Sequence, residues 1–163
     1  MGAIINASSV LEVDLVFPRN KTYAPTEWFP VVFAFQNPKR AKYLNFDISY
    51  NIWNLDDRNN SLTRSHDLRF ANWSSHDPYF AHEFFSSFNA EDRWMLDRTL
   101  TWQSCDEYAF ENNPLTADII RNISTWSTWF TIQDSAPKVD LVAATANKSC
   151  PVTEAEAERP VDY

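Results

Sequence analysis

The chain has 163 residues, with 22 acidic against 14 basic side chains and a formal net charge of −8. That length fits one domain with a sizeable core. The charge speaks against nucleic acid and against an anionic membrane surface, both of which need clustered Lys and Arg, and no run approaches the roughly 18 apolar residues of a membrane-spanning helix.

Residues 1–9 read as a flexible leader. They lack the basic region and long apolar run of a signal peptide, so a secretion signal is expected to be missing or already removed. Residues 10–17 form the first expected strand, with Leu11, Val13, Leu15 and Phe17 facing in and Glu12 and Asp14 facing out. A proline-rich connection follows over 18–30, where Trp28 and Phe29 are expected to fold back onto the core. Residues 31–36 are apolar nearly throughout, which suits a central strand buried on both faces. Asn37-Pro38-Lys39-Arg40 is a turn signal.

The clearest stretch is 44–55. Leu44, Phe46, Ile48, Tyr50 and Ile52 alternate with Asn45, Asp47, Ser49 and Asn51, the period of a half-buried antiparallel strand. Trp53 falls on its polar side. Residues 62–70 read as an edge strand whose Arg64, Asp67 and Arg69 discourage unwanted pairing. Trp73 lies in a loop over 71–78, and 79–85 is a strand with Phe80, His82 and Phe84 on one side. In the long strand at 93–105, Trp94, Leu96, Leu100 and Trp102 share a parity with Arg98. Either a bulge shifts the register there or Arg98 is buried with a carboxylate partner. An acidic loop at 106–116, a helical turn at 117–121 and a last strand at 124–132 follow, with Trp126 and Trp129 near its start. These elements predict an all-β fold over 10–134: an antiparallel β-sandwich, immunoglobulin-like in general shape. Residues 135–150 form a C-terminal extension, and 151–163 an acidic tail expected to be disordered.

Gly2 is the only glycine. Every left-handed turn position beyond it therefore falls to Asn or Asp, whose short polar side chains tolerate that conformation. Asn-x-Ser/Thr motifs at Asn6, Asn20, Asn59, Asn72, Asn122 and Asn147 point to a secreted, glycosylated protein. All six fall outside the expected strands or at their ends. Cys105 and Cys150 fit that oxidising compartment as one disulfide stapling the extension to a core strand. Such a bridge closes a loop of about 46 residues, worth up to about 4 kcal/mol in the chain-entropy view. The alternatives are two free thiols, or partners beyond this C-terminus.

Catalytic signals are sparse. The pairs His66-Asp67, His76-Asp77 and His82-Glu83 lack the spacing that sets two metal ligands on one helix face, and neither a metal nor a cofactor is expected. A hydrolytic serine normally needs a glycine-flanked elbow. Two carboxylates suffice for a glycosidase, with Asp106 and Glu111 as arbitrary choices. Exposed aromatic rings are a more natural device, because the apolar face of a sugar stacks on them. Trp53, Trp73, Trp126 and Trp129 are the binding candidates; their other reading is packing inside the protein.

Leu11-Glu12-Val13-Asp14-Leu15-Val16-Phe17-Pro18-Arg19-Asn20, Tyr23-Ala24-Pro25 and Phe29-Pro30-Val31-Val32-Phe33-Ala34-Phe35-Gln36-Asn37-Pro38 together resemble a family of secreted ascomycete proteins, domain of unknown function 7136. Thr101-Trp102-Gln103-Ser104-Cys105, Thr131-Ile132-Gln133-Asp134 and Leu141-Val142-Ala143-Ala144-Thr145 are similar to it too. The resemblance covers roughly 10–150 and implies a signal-peptide-bearing fungal glycoprotein, with no activity to carry over. Against that pattern a missing signal peptide and a short C-terminus are the expected departures, as a truncated or mis-started gene model would give. The resulting expectation is a non-catalytic extracellular or cell-wall carbohydrate binder. A host-facing or self-associating protein that binds a protein partner is the alternative, and a glycoside hydrolase the third reading.

Overall fold

A computed structural model describes residues 11–105 and 119–142, with the backbone alone at Cys105. The strands are β1 (Glu12–Phe17), β2 (Thr22–Tyr23), β3 (Phe29–Gln36), β4 (Asp47–Asn54), β5 (Ser61–Asp67), β6 (Tyr79–Phe85), β7 (Asp92–Cys105) and β8 (Ile119–Ile132). They build a three-stranded sheet, β1-β3-β6, and a five-stranded sheet, β2-β8-β7-β4-β5. Every pairing is antiparallel except the two-residue contact of β2 with β8. No helix among the described residues is long and apolar enough to cross a membrane.

The apolar run of β3 makes it the middle strand of its sheet, buried from Phe29 to Phe35. β4 alternates as its sequence dictates, with Ile48, Tyr50 and Ile52 inward. Asn54 is buried as well, because its Oδ1 accepts the N–H groups of Asp56 and Asp57 and so shapes the β4–β5 turn. Ring pairs join the two sheets. Phe29 stacks on Phe130 at 5.1 Å, Phe33 meets Tyr50 at 5.5 Å, and Phe35 meets Phe46 edge-on at 5.8 Å. Each such buried ring contributes about 1.5–3 kcal/mol through area alone, so large rings fill the layer between the sheets with few residues.

With no glycine to use, the left-handed positions fall on asparagine. Among the described residues the positive φ angles are 56° at Asn37 and 47° at Asn45. Asn37 starts the 3₁₀ turn Pro38–Tyr43.

Several expectations are corrected. Asp14 does not face solvent. It is buried, and Gln36 Nε2 donates to its Oδ2 at 3.3 Å. The pairing of β1 shifts between Leu15 and Phe17, and a bulge is where a strand can bury both of its sides. β7 has no bulge at Arg98, since its register with β4 and β8 runs unbroken. Of the two expected readings, burial is the one observed: Arg98 is 6% exposed, with its Nη1 donating to Thr128 Oγ1 at 3.0 Å. Asp14 and Arg98 line the same small cavity. Trp28, just before β3, does not fold back onto the core but remains 58% exposed, while Phe29, the first residue of β3, is fully buried. β8 starts at Ile119, so 119–121 is strand and not a helical turn, held by pairing of Ile119, Ile120 and Arg121 with Cys105, Ser104 and Gln103. The C-terminal segment docks early, with Ala24 N–H donating to Pro137 O at 2.9 Å. The leader, the acidic loop with Asp106 and Glu111, the tail, and the proposed Cys105–Cys150 bridge lie outside the described residues or side chains.

Candidate functional site

Strand parity and register build a continuous outer face on the five-stranded sheet. On β4, β7 and β8 one parity points to the core, and the other points away. Trp53 of β4 pairs with Met95 of β7, and Met95 pairs with Trp129 of β8. Two indoles thus lie in one row across the strands, with a thioether between them. Strand spacing sets their backbones about 10 Å apart. Trp129 is 49% exposed, and Trp53 and Met95 are half-buried by their neighbours.

The next row is polar: Thr63, Asn51, Asp97 and Ser127. Thr63 Oγ1 donates to Asn51 Oδ1 at 2.6 Å, and Ser127 Oγ donates to Asp97 Oδ1. These bonds across strands hold the polar groups in fixed positions beside the rings. Farther along, Ser65 Oγ donates to Asp47 Oδ2 at 3.0 Å. At the other end Arg93 pairs with Asp56 at 2.6 Å. The Arg93 hydrogen bonds hold the Asp56 carboxyl below its ordinary value, and Asp56 in turn raises the Arg93 guanidinium. The face therefore offers flat apolar rings bordered by hydroxyl, amide and carboxylate groups.

Of the four tryptophans singled out by sequence, only Trp53 and Trp129 share this face. Trp73 is 4% exposed despite its loop position. It packs against Tyr79 at 5.0 Å, Phe35 at 5.1 Å and Phe46 at 6.1 Å, and so belongs to the core. Trp126 has the inward parity, is half-buried, and lies under the Arg98 guanidinium at 5.5 Å. Met95, Asn51, Asp97 and Ser127 were missed. Their signal was parity, but it emerges only once β7 and β8 are set in register.

The glycosylation motifs divide in the same way. Asn20, Asn59 and Asn72 are exposed. Asn122 lies within β8, not outside a strand, and its Nδ2 donates to Ser104 Oγ at 3.0 Å. Asn6 and Asn147 lie outside the described residues. Among the described residues, no three His, Cys, Asp or Glu side chains gather as metal ligands.

Residues 6–159 match the model of a family described as Domain of unknown function (DUF7136). No curated protein matches the chain, and no solved structure does.

Proposed function

Since the chain belongs to the DUF7136 family, whose description names no activity, we propose a function from the outer face itself: non-catalytic binding of a linear carbohydrate outside the cell. In this reading the chain is a secreted, glycosylated fungal β-sandwich, immunoglobulin-like in general shape. The observation that carries it is the row Trp53, Met95, Trp129 beside the polar row Asn51, Asp97, Ser127. Two rings on neighbouring-but-one strands suit a glycan crossing the strands, one sugar face on each indole. The ordered hydroxyl and carboxylate groups alongside suit its hydroxyls. The exposed Asn20, Asn59 and Asn72 support the secreted, glycosylated part of the reading.

The test is retention of the glycosylated protein on insoluble chitin, β-glucan and cellulose, with Trp53→Ala and Trp129→Ala in parallel. Retention on one polymer that falls at least tenfold in either variant supports the reading. No retention on any polymer, or equal retention in both variants, overturns it. The alternative reading, a protein partner or a second copy, draws on the opposite side of the molecule. There Phe80 (36% exposed) and Phe84 (43% exposed) flank His82 on the outer side of β6. Capture of a protein that Phe84→Ser abolishes would favour that alternative.

A further inference from the structure

The seam between β5 and β6 holds polar atoms that the proposed binding face does not use. β5 and β6 are each an edge strand of their sheet, and they meet where Arg64 of β5 lies over Phe85 of β6. Tyr50 is 1% exposed, and its Oη has no hydrogen-bond partner among the described residues. The same holds for His66 Nε2, although the His66 ring as a whole is only half-buried. The two rings stack at 5.8 Å, and the His66 ring meets the Phe33 edge at 6.4 Å. Buried polar atoms without partners are uncommon in folded proteins, and each calls for an explanation.

We propose that His66 is an acid-sensitive latch between the two sheets: neutral, its ring packs between Tyr50 and Phe33; protonated, it puts a cation that no carboxylate hydrogen-bonds into a buried aromatic seam and loosens β5 from β6.

The charged groups around it decide the direction. Burial favours the neutral ring and lowers its pKa from 6.5. Glu83 on β6 and Asp47 on β4 oppose that shift, and His82 on β6 adds to it. Glu83 also faces the Tyr50 phenol, whose pKa burial raises and Arg64 of β5 lowers. The Arg64 guanidinium lies over Phe85 at 5.4 Å, so β5 already brings one cation to this seam. Arg98 of β7 pairs across from Tyr50 on its other side. Glu83 does not reach His66 as a hydrogen-bond acceptor; its Oε1 takes the Phe84 N–H at 3.1 Å. Burial therefore outweighs attraction. A folded-state pKa below the unfolded one means that the unfolded chain takes up protons first. The stability held by neutral His66 is complete above about 6.5 and is lost as pH falls from there toward the folded value.

The chain has three histidines, few enough for NMR to follow each ring through a pH titration of the intact protein. The expected result is a His66 midpoint below the ordinary histidine value. Amide protection, taken relative to base-catalysed intrinsic exchange at each pH, should then fall at pH 5 relative to pH 7.5 in 61–67 and 79–85, more than elsewhere. His66→Phe should remove that selective change, and His66→Gln serves if the phenylalanine variant does not fold. A His66 midpoint at or above the ordinary value would mean that Glu83 captures the proton and the seam tightens in acid. Either that result, or the same exchange pattern in wild type and variant, overturns the proposal.

Discussion

Replacing Trp73 by Ala separates the core tryptophan from the surface ones. The indole is 4% exposed and touches three other rings at centroid distances of 5.0 Å, 5.1 Å and 6.1 Å. Its removal loses the transfer energy of a large side chain and leaves a cavity that Phe35, Phe46 and Tyr79 cannot fill. Core Trp→Ala changes cost about 3–5 kcal/mol. For a domain of this size, each kcal/mol lowers Tm by about 2–4 °C, so the expected drop is roughly 6–20 °C. Calorimetry on purified protein measures it, with urea unfolding to confirm an unchanged slope. Trp129→Ala is the control. Half its ring is in water, so its cost stays below about 1 kcal/mol. A Trp73→Ala midpoint within about 2 °C of wild type would refute the packing argument. It would also restore Trp73 as a surface residue.

Arg98→Ala removes the bond to Thr128 Oγ1 and the cation over Trp126. The expected loss is about 2–4 kcal/mol, read from the urea midpoint. Asn37→Gly should leave Tm unchanged or slightly raised, because φ at Asn37 is 56°. Asn37→Val at the same position should cost at least about 1–2 kcal/mol, seen by thermal unfolding.

Period-two alternation made β4 and most of β7 legible, because one face of each meets apolar rings and the other meets water. The scarcity of glycine made Asn the expected owner of left-handed turns, and Asn37 and Asn45 hold them. Trp73 was not legible. Its neighbours Asn72, Ser74 and Ser75 are exposed and polar, and the pocket that takes its ring is made by β3, the residues before β4, and β6. Local sequence does not encode such a distant pocket. Asp14 was misplaced for a related reason: alternation assigns faces, but a bulge at an edge changes what covers them. On the binding face, the individual rings could be named from sequence, while their alignment depended on the pairing of β4 with β7 and of β7 with β8.

The aromatic layer also sets a schedule for synthesis. Phe29 rests on Phe130, and β2 takes its place in the sheet only against β8. The apolar β3 therefore leaves the ribosome about a hundred residues before the strand that completes its surroundings. At about 5–20 residues per second, that delay is roughly 5–20 s. During it, β3 and the first half of the five-stranded sheet can be shielded only by partial collapse or by chaperones. Yield of this protein in a foreign host should therefore respond more to elongation rate and chaperone supply than to mutations that stabilise the finished fold.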